Sequence, residues 1–148
     1  MIVPVDSSQP DTAFGTSYDG EFSSTVSSIF NFDIPYSDEG KTCTVVFLWP
    51  EQSQLETSSF TTSGAGGLHF QELSSPATES TTYNNVPAPA GVDVTLPSVK
   101  AGNSYSVVSH ACGAGERISF KVSATGNLAL SYFQDYNPSP IGMYVSVC

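Results

Sequence analysis

Two histidines, fourteen acidic residues and three cysteines are the side chains here with chemistry to offer. Their spacing decides what that chemistry is. His69 lies inside an alternating run. His110 ends another, beside Ser109 and two residues before Cys112. A Ser–His–Asp hydrolase of the nucleophile-elbow kind needs a serine in a G-x-S-x-G turn between strand and helix, and no such motif is present. With 24 serines in the chain, a serine near a histidine carries no information, so a hydrogen-bonded structural histidine is the default. Glycoside hydrolysis needs two carboxyl groups facing each other across a cleft. Glu51, Glu56, Glu72 and Glu116 are available, but no spacing selects a pair. A copper site built on an N-terminal histidine is not expected, because the first histidine is His69.

Asp33, Asp38 and Glu39 surround a turn over residues 35–40, and a loop of hard oxygen donors is what calcium takes. The spacing is not that of an EF-hand loop. Solvated acids in a turn, with Asp and Gly chosen for turn geometry, are the simpler reading. No other cofactor is expected. The cysteines, Cys43, Cys112 and Cys148, include no C-x-x-C pair and have no histidine at ligand spacing, which argues against zinc. They allow one disulfide and one leftover thiol. A Cys112–Cys148 bond is the expectation, since a cysteine on the last residue would staple an end that otherwise frays. It would close a moderate loop and contribute roughly 3–4 kcal/mol. Spacing alone does not fix connectivity, and three reduced cysteines of an intracellular protein are the alternative.

Tyr132, Phe133, Tyr136 and Tyr144 gather around the final hairpin. Neighbours on a strand point to opposite faces, so Tyr132 or Phe133 must face outward. Exposed rings of this kind form platforms for sugar rings or protein partners. The competing reading is that they fill the edge of a core. The partners this suggests are a cell-wall polysaccharide or an extracellular protein.

The elements that must position these residues are strands. Helix signals are almost missing; the one candidate, residues 51–59, has Leu55 as its only good apolar position. Runs at 22–26, 29–34, 43–49, 68–73, 92–96, 104–110, 117–123, 128–134 and 141–147 are rich in β-branched and aromatic residues. Glycine- and proline-bearing turns separate them. Residues 43–49, CTVVFLW, form the most apolar run and read as a central strand covered on both faces. In 117–123, Ile118, Phe120 and Val122 alternate with Ser119 and Lys121. Eight or nine short antiparallel strands predict an all-β, jelly-roll-like sandwich. Residues 1–20 read as a polar, partly ordered N-terminal segment, and 21–148 as a single β-sandwich domain. Residues 57–67 read as a flexible loop. The 74–91 stretch, with Pro76, Pro87 and Pro89, reads as a long interruption of the kind that is functional or mobile.

Net charge is −10 with a pI near 4.1, so phosphate backbones and anionic lipid surfaces are repelled, which excludes nucleic-acid partners. No run of 18 apolar residues offers a membrane span. Charged residues are only 12% of the chain while Ser and Thr number 24 and 13, so solubility rests on hydroxyls as much as on ions. No N-glycosylation sequon occurs, since Asn137 is followed by Pro138 and no other asparagine has Ser or Thr two residues on. The opening Met1-Ile2-Val3-Pro4-Val5-Asp6 reads as the start of a chain whose leader has been removed.

Several short motifs occur in a particular order: FDIP (32–35), GKTCTVVFLWP (40–50), GNSY (102–105), CGAGERISF (112–120) and LSYFQDYNPSPIGMYVSVC (130–148). Together they resemble the fungal Uba-three-binding But-two carboxy-terminal domain family over about residues 22–148. The resemblance implies a fungal protein, secreted or on the cell surface, and carries over no catalytic residue. The family's name implies a second class of function, an intracellular interaction with a ubiquitin-like-modifier activating enzyme. The resulting expectation is a secreted cell-wall or extracellular structural or binding protein without catalysis. The alternatives are that intracellular interaction module and an extracellular hydrolase.

Overall fold

The structure, a computed structural model, describes residues 1–136 and 139–148. Eleven strands carry the described chain: β1 (Ile2–Asp6), β2 (Asp19–Phe22), β3 (Val26–Asp33), β4 (Thr42–Trp49), β5 (Phe60–Ser63), β6 (Leu68–Leu73), β7 (Pro89–Leu96), β8 (Asn103–Ala111), β9 (Arg117–Ala124), β10 (Ala129–Phe133) and β11 (Gly142–Val147). They form three antiparallel sheets ordered β1-β3-β9-β6-β7, β2-β10-β5 and β11-β4-β8. The pairings β3–β9, β4–β8 and β6–β7 nest inside one another in sequence, as in a long hairpin that has been rolled up. This is the all-β, jelly-roll-like sandwich that the alternation predicts. The one helix candidate, 51–59, is a single 3-10 turn, Gln52–Gln54, because one apolar residue cannot hold a longer helix against the core.

Inner faces of all three sheets meet in one core. Phe30, Leu68, Phe70, Phe120 and Val122 come from the five-stranded sheet, Phe22, Leu130 and Tyr132 from the second, and Val45, Phe47, Trp49 and Met143 from the third. Phe22 and Phe47 sit at the centre, with Tyr132 about equally far from both, at 6.0 and 6.2 Å between ring centroids.

Four expectations are corrected. The N-terminal segment is not merely a polar lead-in: β1 is the edge strand of the five-stranded sheet, with Ile2, Val3 and Val5 buried. Pro4 is tolerated there because an edge strand has one side without ladder bonds. The predicted strand 22–26 spans a turn, with Ser23 Oγ accepting from the Val26 amide at 3.1 Å between β2 and β3. Strand β4 is buried on one face only, through Cys43, Val45, Phe47 and Trp49. Cover on both faces is found instead on β3, where Ile29, Phe30 and Asn31 are all buried.

The reason is the long segment after β6, read above as an interruption. It folds back over the outer face of the five-stranded sheet, where Ala77 joins Val3, Val5, Ile29 and Leu73 in a second apolar cluster. Asn31 fixes it there. Its Nδ2 donates to the Ala77 carbonyl at 2.8 Å, and the Ala77 amide donates back to Oδ1 at 3.2 Å.

The fourth correction is the disulfide. Cys43 on β4 bonds to Cys112, just past β8, with Cα atoms 5.0 Å apart. Cys148 is free and exposed, so there is no Cys112–Cys148 bond. The chain end is held instead by backbone, with Thr42 and Cys148 exchanging two N–H···O bonds of 2.9 Å.

Candidate functional site

Strand β10 ends on Phe133, whose register partner is Asp19 at the start of β2. That pairing sets Tyr18 beside Phe133, with ring centroids 6.5 Å apart and planes inclined by 52°. Two residues on from Gln134, Tyr136 packs edge-on against Tyr144 at 5.6 Å and 74°. Tyr18, Phe133 and Tyr136 are 80%, 43% and 64% exposed, so three rings with apolar faces are offered to solvent at one end of the sandwich.

Gln134 ties this end together. Its Nε2 donates to the Met143 carbonyl at 3.0 Å, and the Met143 amide donates to its Oε1 at 3.3 Å. The Gln134 amide donates to the Tyr18 carbonyl at 3.1 Å. The Tyr144 hydroxyl points between the carbonyls of Asp135, at 2.6 Å, and Ile141, at 3.2 Å. Burial, then the Asp135 carboxylate and Tyr136, push its pKa up to about 12. Tyr144 is therefore a neutral donor at any physiological pH, and it supports Tyr136 from behind.

Beside Tyr18 and Tyr144 runs a groove in two parts, between the β1–β3 edge and the β10–β11 side. One part, about 400 Å³, is lined by Phe32, Asp33, Gln134, Tyr144 and Val145; another of about 400 Å³ is lined by Thr16, Ser17, Tyr18 and Gln134. Met1, Ile2 and Gln134 line both parts.

Of the four predicted aromatic residues, Phe133 and Tyr136 are exposed and Tyr144 is half-buried. Tyr132 is not a surface residue. It is 2% exposed, and burial raises its pKa well above the ordinary phenol value. Tyr18 was not legible, because its place depends on the β2–β10 pairing and nothing local marks it. Between the predicted runs 128–134 and 141–147, residues 137 and 138 lie outside the described residues.

The predicted calcium ligands are not brought together. Asp33 is taken by Arg117, whose Nε and Nη2 donate to its two oxygens at 2.6 and 3.2 Å. That hydrogen bond lowers the Asp33 pKa and raises that of Arg117. Asp38 faces Lys41 at 3.7 Å. Among the described residues no group of three His, Cys, Asp or Glu side chains could hold a metal ion. His69 is paired with Asp93 at 2.6 Å, and His110 Nδ1 with the Ala111 carbonyl at 2.8 Å. Among the described residues neither has a serine hydroxyl as partner. Two of the four glutamates have structural roles: Glu51 caps the 3-10 turn, and Glu72 accepts from the Val92 amide at 3.1 Å.

Three rolled antiparallel sheets around one core define a β-sandwich domain. The chain belongs to the family described as ubiquitin 3 binding protein But2 C-terminal domain, whose model matches residues 1–138. No curated protein matches the chain. No helix among the described residues is long and apolar enough to cross a membrane.

Proposed function

We propose that this is a non-catalytic, extracellular binding domain of a fungal wall that holds a polysaccharide chain across Tyr18, Phe133 and Tyr136. The observation that carries the reading is the exposure of Tyr18, Phe133 and Tyr136, with Tyr18 and the half-buried Tyr144 lining the two parts of a groove that meet at Gln134. Sugar rings present C–H faces to aromatic rings and hydroxyls to polar groups, and this end offers both. The tilt of the Phe133 ring against Tyr18 matters for substrate class. Inclined rings cannot lie together on a flat crystalline face, so they suit a single twisted chain. The Cys43–Cys112 bond supports an oxidising compartment. A serine- and threonine-rich surface of net charge −10 keeps such a protein soluble.

The test is retention on soluble and insoluble fungal and plant wall polysaccharides, with Tyr18→Ala and Phe133→Ala as variants. Binding to a soluble glycan, weakened about tenfold or more in each variant, is expected. No retention on any glycan would sink the reading.

The family's description favours a second reading, a protein-interaction module that binds a ubiquitin-related partner inside the cell. Thiol counting on protein from its natural source separates the two. Three reduced cysteines would favour the intracellular module, and one would favour the extracellular domain.

A further inference from the structure

The outer face of the five-stranded sheet carries a cavity of about 290 Å³ that shares no residue with the aromatic groove. Its floor is His69, Gln71 and Leu73 of β6 with Lys121 and Ser123 of β9, and its wall is Val86 and Pro87 of the returning segment with Pro89 at the start of β7. Register places Gln71 opposite Lys121 and His69 opposite Ser123, so these four side chains share one face.

Most polar groups here are already engaged. His69 is bonded to Asp93, Ser123 to Ser27 at 2.9 Å, and the Gln71 amide nitrogen to the carbonyls of Glu72 and Val92. Lys121 is different. Lys41 and Arg117 each have a carboxylate partner, whereas the Lys121 ammonium forms no ion pair among the described residues. It sits 5.2 Å from the centre of the Tyr83 ring. It is half-buried, and the loss of water lowers its pKa. A half-buried cation without a counter-ion, in a chain of net charge −10, is an incomplete arrangement.

We propose that this cavity binds a small monocarboxylate with a compact apolar body. The carboxylate pairs with Lys121, and the carbon skeleton lies against Leu73, Val86, Pro87 and Pro89. One ammonium balances one negative charge. A dianion would leave a charge unpaired within the field of a strongly acidic protein, beside Asp93. The volume is at the lower end for a ligand site and suits one ring or one short chain.

The probe is benzoate, titrated into the isotope-labelled full chain and followed through amide shifts at Leu73, Val86 and Lys121. Benzyl alcohol is the neutral counterpart and inorganic phosphate the more highly charged anion. Saturable benzoate shifts are expected below about 20 mM, with benzyl alcohol and phosphate weaker by about fivefold or more. Lys121→Met, which keeps the aliphatic stem, should abolish them. Val86→Glu, on the segment outside the strands, should weaken them by about fivefold, and it remains informative if Lys121→Met fails to fold. Three results would overturn the assignment: no saturable benzoate shifts, equal shifts with benzyl alcohol or phosphate, or an unchanged response in both variants. Polysaccharide retention is independent of every one of these outcomes.

Discussion

Cutting the Cys43–Cys112 bond should cost most of what a cross-link of its span can give. The two residues are 69 apart in sequence, and closing a loop of that size removes denatured-state entropy worth about 4 kcal/mol. Few native contacts go with it. The β4–β8 ladder continues through Cys43↔His110 and Thr42↔Ala111, and the Cys112 amide still donates to the Lys41 carbonyl at 3.0 Å. The effect therefore lies mainly in the unfolded chain, and it shows in two numbers. In guanidinium unfolding of Cys112→Ser, or of the protein in reductant, the midpoint should fall by roughly 1 M. The slope should rise, because an uncrosslinked denatured chain exposes more surface. The melting temperature should drop by about 10 °C. Cys112 is the better site, since serine at the fully buried Cys43 would add a packing and desolvation cost. Cys148→Ser should leave both midpoint and slope unchanged, and unfolded, unreduced protein should titrate one thiol. A Cys112–Cys148 bond would reverse this: Cys148→Ser would then destabilise. A peptide map joining Cys112 to Cys148, or a midpoint insensitive to reductant, refutes the argument.

Gly20→Ala should destabilise by about 1–3 kcal/mol in thermal melts, because a Cβ there runs into the buried Tyr132 ring. Asn31→Ala leaves the buried amide and carbonyl of Ala77 without partners; about 2 kcal/mol should be lost, with faster protease cleavage between residues 74 and 88 as the specific readout. Asp33 has a lowered folded pKa, so the stability it contributes is present above the unfolded value of 3.8 and is lost as pH falls through the lower folded one. The stability gap between the wild-type chain and Asp33→Asn should accordingly be largest above about pH 4 and close below it, and salt should shrink it. A gap that widens on acidification contradicts the Arg117 pairing. In an alkaline absorbance titration the step near pH 12 should vanish in Tyr144→Phe.

Strands announce themselves where one face is apolar and the other is not. Ile118, Phe120 and Val122 gave β9 its place without ambiguity, and Phe120 and Val122 are fully buried. Coverage of the second face is a different matter, because it depends on what lies above the sheet. The run CTVVFLW looked doubly covered, yet the residues of β4 on its outer face, Thr44, Val46 and Leu48, stay half-exposed. Doubly covered β3 is less apolar than β4, and its outer face holds the polar Asn31 beside Ile29. What covers it is a segment without strand periodicity, held by the polar Asn31 side chain through the N–H and C=O of one residue, Ala77. Hydrophobic pattern has no means of recording that. The exposed strand β5, Phe60–Ser63, was hidden for the same reason: it is held by its ladder to β10 and buries almost nothing.

The aromatic end shows where parity helps and where it stops. Tyr132 and Phe133 were known to face opposite ways, and the sequence holds enough to say which is which. Leu130 lies on the side of Tyr132 and Ser131 on the side of Phe133, so a strand burying its leucine must bury Tyr132 and expose Phe133. The structure has that arrangement. Ring against ring is another question. Tyr18 reaches Phe133 only because β2 and β10, more than a hundred residues apart, pair in one register; a slip of one residue would turn Phe22 out of the core. Burying Phe22 is therefore what fixes where Tyr18 stands. A surface built this way is set by the core beneath it, so substitutions at Phe22 or Gly20 should disturb binding at this end even though neither residue faces a ligand.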